Sequence, residues 1–246
     1  MVEAQLIGLM GNQLFQYAVC RSVAERNGYN FFINSYIWLG HDLLDCDLGI
    51  RDGNPQFTFN DIESQKFNPE VFNVADFTHL YGFFQSPKYF NREDVKKWFK
   101  LKPNEEAIAF QKEYNRDNYG YIHIRGGDAR MNPQSILPLE YYQKAQKILL
   151  DINSDLKFVV FTDDKEFAHQ YFPDLPIFSH SMETDFCILN SGKYIISPIS
   201  TFCWWASYLQ DDNVVIAPQG WYLYGIDKEK FCPEDIFTDK FIWIGK

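Results

Sequence analysis

Apolar residues along the first thirty positions change period. Residues 3–9 read as a strand that runs into the turn Gly8-Leu9-Met10-Gly11. From Asn12 onward Leu14, Phe15, Ala18, Val19, Val23 and Ala24 fall on one face of a helix. Gly28 closes that helix as a left-handed residue past its end, and residues 29–33 read as the next strand. The pattern predicts a strand–helix–strand unit. Residues 40–75 are rich in Asp, Asn and Pro with little periodicity and read as loops. A strand is predicted over 80–84, a helix over 91–99, and a helix followed by a crossing over 105–118. Beyond this the alternation is regular. Strands are predicted at 119–125, 157–162, 176–179, 194–197 and 214–217, and helices at 138–150, 165–171, 183–190 and 202–210. Alternating strands and helices argue for a parallel sheet covered on both faces.

Composition narrows the function classes. The chain has 246 residues and is 46% hydrophobic, ample for one large domain or two small ones. Its net charge of −10 and the absence of a basic stripe exclude a nucleic-acid duplex as partner. Any anion site must be built locally, against that field. Aromatic residues make up 18% of the chain, enough to fill a core and to line a cleft for a ring-shaped ligand. The start of the chain lacks the pattern of a signal peptide, and no run approaches the ~18 apolar residues of a membrane span. There is no Asn-x-Ser/Thr sequon. The five cysteines, Cys20, Cys46, Cys187, Cys203 and Cys232, are scattered, which suits free thiols. The expectation is a cytoplasmic protein without a transmembrane segment.

In open α/β sheets ligands bind beyond the carboxyl ends of the strands. Those ends carry Arg125-Gly126-Gly127-Asp128, then Thr162-Asp163-Asp164, then Ser197 to Phe202 leading into Trp204-Trp205-Ala206. Arg125 offers a planar fork suited to phosphate oxygens. Ser200 and Thr201 stand at a helix start, where hydroxyls and free N–H groups favour an anion. The two glycines clear the approach, and Asp163 or Asp164 can accept hydrogen bonds from a guanine edge. Together these describe a site for a nucleoside diphosphate. Each residue also has a purely structural role open to it: Ser200 or Thr201, and Asp163 or Asp164, as helix caps, Arg125 as one side of an ion pair, and the two tryptophans as packing rather than sugar platforms. Asp45-Cys46-Asp47 has the form of a metal-binding Asp-x-Asp in a loop, and no zinc-ligand spacing is present.

Several blocks carry a family resemblance. The run Gly8-Leu9-Met10-Gly11-Asn12-Gln13-Leu14-Phe15-Gln16-Tyr17-Ala18 resembles the GGLGNQMFQYA signature of the α-1,2-fucosyltransferase family. The stretch YGFFQSPKYF at 81–90 is similar to its GYFQSEKYF block, and His123-Ile124-Arg125-Gly126-Gly127-Asp128 to its H-x-R-R-G-D motif. Phe161-Thr162-Asp163-Asp164, Ser200-Thr201-Phe202-Cys203-Trp204-Trp205-Ala206 and Ala217-Pro218-Gln219-Gly220-Trp221-Tyr222 resemble its SDD, SSFSWWA and APxxWF blocks. The blocks stand in family order over most of the chain.

The resemblance implies a GT-B-like α/β fold, two Rossmann-like halves with parallel sheets and a cleft between them. The halves are drawn as 1–117, on the acceptor side, and 118–246, binding the donor. It implies inverting, metal-independent transfer of L-fucose from GDP-fucose to a sugar hydroxyl of a glycan, the 2-OH of a galactoside, with no cofactor. Arg125 and Asn12 would be catalytic. His123, Arg125, Asp163, Asp164, Ser200, Thr201 and Phe202 would bind the donor, and Gly11, Asn12 and Gln13 would face the cleft. The base that takes the acceptor proton is not singled out among Asp128, His41 and Asp42. The family's second Arg is Gly126 here, and the chain is short on the acceptor side. These departures keep two alternatives in view: another GDP-sugar or linkage, and a non-catalytic protein that binds GDP-sugar or glycan.

Overall fold

The computed structural model describes residues 1–62, 66–127, 135–221 and 233–245. Its contacts divide into two compact units. One comprises Met1–Lys102 with residues 233–237, the other the described residues from Pro103 to Trp221 with 238–245. The sequence division at 117/118 differs from this by one helix, α3 below.

In the first unit β1 (Val2–Ala4), α1 (Met10–Asn27) and β2 (Phe31–Ile33) form the expected parallel unit. After the two-residue strand β3 (Leu44–Asp45) come β4 (Phe57–Asn60), β5 (Thr78–Tyr81), α2 (Arg92–Trp98) and β6 (Lys100–Leu101). The main sheet is parallel in the order β2-β1-β5-β4, while β3 and β6 pair antiparallel.

β1 is shorter than the 3–9 strand read from the sequence. The reason is Gln16, fully buried on α1. Its amide accepts from Ile7 N–H at 2.9 Å and donates to Ile7 O at 3.3 Å and Gly82 O at 3.2 Å. Those backbone groups satisfy their hydrogen bonds on a side chain, so the chain leaves the sheet early at both β1 and β5. Phe84, at φ 52°, then turns the chain after β5, which therefore occupies Thr78–Tyr81 rather than 80–84. β4 lies inside the stretch read as loop. It is an edge strand exposed over most of its length, so no apolar alternation marks it.

The second unit holds α3 (Glu105–Glu113), β7 (Tyr119–Ile124), α4 (Leu139–Ile152), β8 (Lys157–Thr162) and α5 (Lys165–Tyr171). It continues with β9 (Ile177–Phe178), α6 (Met182–Ser191), β10 (Tyr194–Ile196), α7 (Thr201–Tyr208), β11 (Val214–Pro218) and β12 (Ile242–Ile244). Its sheet is parallel throughout, in the order β12-β11-β10-β7-β8-β9. α3 is held on α6 by Asn104 Nδ2 donating to Thr184 Oγ1 at 3.2 Å and by Thr184 Oγ1 donating to Glu106 at 2.9 Å. These bonds tie it to this unit. β12 has a half-exposed edge pattern and was not visible as a period.

The centre of this sheet is dry. Tyr121, Ile122, Val159, Val160, Ile195, Ile196, Val215 and Ile216 are all fully buried, the near-continuous apolar runs that a doubly covered parallel sheet requires. α7 packs both tryptophans inward. Trp204 and Trp205 have no exposed surface, and Trp204 stacks on Tyr208 at 4.3 Å. A sugar-stacking role for either is ruled out. Cys20, Cys46, Cys187 and Cys203 are free thiols, as expected, and Cys232 lies outside the described residues.

Candidate functional site

Strand order explains why three separated motifs meet. β10, β7 and β8 are adjacent, so Ser200-Thr201, His123-Arg125 and Asp163-Asp164 leave neighbouring carboxyl ends. Ile124 pairs with Thr162, so the Arg125 and Asp163 turns start at the same level.

The turn after Arg125 is held by Asp163. Its Oδ1 accepts from Gly126 N–H at 2.7 Å and from Gly127 N–H at 3.1 Å. This fixes the backbone immediately beyond Arg125. Asp164 is the N-cap of α5, accepting from Phe167 N–H at 3.0 Å. Thr162 Oγ1 accepts from Asp164 N–H at 3.0 Å and donates to Asp164 O at 3.2 Å. Both aspartates thus have backbone work; Asp163 remains exposed and Asp164 partly so. Asp128 lies outside the described residues.

The glycines have a tight reason. A Cβ on Gly126 would stand 2.7 Å from Asp164 Cβ and 3.0 Å from Phe167 Cδ1. A Cβ on Gly127 would stand 2.9 Å from Asp163 Oδ2. The β8–α5 turn fills the space that a second Arg at 126 would need.

His123 is 9% exposed at the end of β7. Burial pushes its pKa down to about 4, with Asp163 opposing and Arg125 adding to the shift, so the ring is neutral at pH 7. Its Nδ1 is buried with no hydrogen-bond partner among the described residues. A buried polar atom left in that state is costly and marks a place where a ligand group can bond. Phe202, partly exposed, lies 5.9 Å from the His123 ring.

Ser200 is the N-cap of α7, accepting from Cys203 N–H at 3.3 Å, and both Ser200 and Thr201 are buried. The approach to this helix start is braced by Tyr141, whose hydroxyl donates to Ser197 O at 2.7 Å and lies 3.3 Å from Ile216 O. Sequence reading missed Tyr141, because nothing in the α4 period separates a bracing phenol from a packing one.

In the first unit the expected residues part company. Asn12 is half-buried and accepts from Gln85 Nε2 at 2.8 Å, across the gap between the β1 and β5 carboxyl ends. Gln85 stands in a motif block, and its position there was the only signal for it. Gln13, expected to face a cleft, is 4% exposed. Its amide is spent on Ile37 O at 3.0 Å and Leu39 N–H at 2.8 Å. Gly11 is buried in the first turn of α1. His41 Nε2 lies 2.6 Å from Ser35 O, and Asp42 is exposed beside it. In the Asp-x-Asp, Asp47 accepts from Gly49 N–H at 2.8 Å, a turn bond.

The profile of Glycosyl transferase family 11 matches residues 1–245. The chain belongs to that family. This family 11 protein is a glycosyltransferase, as the motif blocks implied. It is 26% identical over 294 aligned positions to the alpha-1,2-colitosyltransferase of Escherichia coli, covering 100% of this chain and 99% of that protein. Among solved structures it is similar to the NodZ alpha-1,6-fucosyltransferase soaked with GDP-fucose, with TM-score 0.55 at 15% identity, covering 85% of this chain and 92% of that one. It is also similar to POFUT1 in complex with GDP-fucose, with TM-score 0.54 at 10% identity, covering 88% and 96%. At these identities the likeness is one of fold, and it agrees with the GT-B-like reading. Among the described residues no helix is long and apolar enough to cross a membrane.

Proposed function

We propose that this glycosyltransferase moves L-fucose from GDP-fucose to a glycan hydroxyl, the 2-OH of a galactoside, with inversion and without a metal. The observation that carries the reading is the meeting of three groups on adjacent strand ends of one unit. These are Arg125 on its clamped turn, the buried His123 whose Nδ1 has no partner among the described residues, and the α7 start at Ser200 and Thr201. The NodZ structure soaked with GDP-fucose and the POFUT1 structure in complex with GDP-fucose support the same donor class here.

In this reading Arg125 and the α7 start hold the diphosphate, the neutral His123 ring and Phe202 line the base pocket, and the exposed Asp163 or Asp164 reads the guanine edge. The acceptor oxygen forms a bond to the anomeric carbon as the bond to the β-phosphate oxygen breaks. The bonding pair leaves with GDP, and the acceptor proton passes to a base. Negative charge grows on GDP, so preorganised donors there lower the barrier. Asn12, oriented by Gln85, is the proposed catalytic group of the first unit.

Calorimetric titration of GDP and GDP-fucose in EDTA tests the donor site. Wild type is expected to bind both. Arg125→Ala should lose binding and roughly 10²–10³ of turnover. Unchanged binding by the variant, or none by wild type, would overturn the assignment. A second reading changes only the sugar. The full-length similarity to a colitosyltransferase favours a colitose donor, and competition between GDP-sugars separates the two.

A further inference from the structure

The β10–β11 ladder runs out at a proline. Ile195 stands opposite Val215 and Ile196 opposite Ile216. The bonds alternate along this parallel pair: Val214 N–H donates to Lys193 O at 2.7 Å, and Ser197 N–H donates to Ile216 O at 2.9 Å. The same register assigns the carbonyl of Ser197 to the N–H of residue 218. That residue is Pro218, the last of β11, which has no N–H to give. Ser197 is 1% exposed, so water is no substitute, and a buried carbonyl without a donor is costly.

Tyr141 supplies the donor from another element. It lies in the first turn of α4, fully buried, and its hydroxyl donates to Ser197 O at 2.7 Å. Burial holds the phenol protonated, with Tyr142 and Cys203 adding to the effect, so it stays a donor across the neutral pH range. The link from Ser197 to the α7 cap is short and stiff. Ser197 Oγ donates to Pro198 O at 3.0 Å, Ile199 is fully buried, and Ser200 follows as the N-cap. A shift of the Ser197 carbonyl therefore passes to Ser200 and Thr201.

We propose that Tyr141 is a positioning residue for the donor diphosphate: its hydroxyl replaces the rung that Pro218 cannot make and so sets where the α7 start presents Ser200 and Thr201. The inference rests on the reading above, in which that helix start holds the diphosphate. Tyr141 acts through Ser197 and touches no substrate itself. A displacement of about 1 Å is enough to matter, because bonds to phosphate oxygens need aligned donors.

The test is calorimetry of GDP in EDTA, with thermal unfolding of the same samples. Tyr141→Phe should raise the Kd for GDP about ten-fold, while Tyr142→Phe should leave it within about two-fold. Tyr142 is the matched control, a buried ring edge-on to Tyr141 at 5.1 Å. Pro218→Ala in the Tyr141→Phe background returns an N–H to position 218 and should recover most of the lost affinity. A lowered unfolding midpoint in Tyr141→Phe with an unchanged Kd for GDP would reduce Tyr141 to packing and overturn the proposal. So would a double variant that regains no affinity. If Tyr141→Phe alone does not fold, the double variant should fold and bind GDP, and its failure to fold would also overturn the proposal. Wild type that binds no GDP would overturn the donor reading beneath it.

Discussion

At the scale of single residues, Gly126 shows a motif departure with a steric cause. The family motif has Arg there, but Asp164 Cβ lies 2.7 Å from where a Cβ would stand. Gly126→Arg should therefore destabilise the protein rather than strengthen the site. Overpacking costs about 1–3 kcal/mol, and displacing Asp164 removes a helix cap worth about 1 kcal/mol. Thermal unfolding should show a lowered midpoint for Gly126→Ala and a lower one for Gly126→Arg; a raised midpoint for either would contradict the packing. His123 makes a second residue-scale prediction. Its folded pKa of about 4 lies below that of an unfolded histidine. Between pH ~6.5 and ~4 the unfolded chain binds a proton that the folded one does not, so this residue's share of stability falls as pH falls through that window. The loss is on the order of 3 kcal/mol and levels off below the folded pKa. Urea midpoints at pH 7 and pH 4.5 should drop less for His123→Gln than for wild type.

At the scale of elements, one buried side chain decides where two strands end. Gln16 takes the Ile7 N–H, the Ile7 carbonyl and the Gly82 carbonyl. Gln16→Leu keeps the approximate volume and strands those backbone groups. The expected loss is about 3 kcal/mol, since each buried orphan costs roughly 1–3 kcal/mol. Denaturant unfolding measures it, and near-wild-type stability would mean that the loops find other partners. The same residue shows why element bounds were harder to read than element types. Gln16 stands inside an apolar helix pattern, and nothing in its neighbours says that it reaches two loops, one of them 66 positions away. α5 and β8 match their predicted bounds because their ends are set locally, by the Asp164 cap and by Thr162 closing the turn. β4 and β12 were missed because edge strands with exposed faces carry no alternation.

At the scale of the whole molecule, the sequence by itself determined the class and most of the elements. Period and punctuation are local properties, and burial on both faces of a parallel sheet writes itself into the chain as apolar runs such as those of β7 and β8. Motif blocks in order likewise identified the family, because chemistry at strand ends needs particular residues at particular turns. Only the tertiary structure decided how those residues are used. Ser200 and Asp164 are caps whatever else they do, and Asp163 clamps the turn beyond Arg125. Trp204 and Trp205 belong to the core, and Gln13 is buried beneath a loop that turns Tyr36 outward. Those outcomes depend on contacts between distant positions, Gly126 with Asp163 or Gln13 with Leu39. A hydrogen-bonding side chain has the same spelling whether its partner is a ligand or the backbone of another loop, so its role is fixed only when the chain closes on itself.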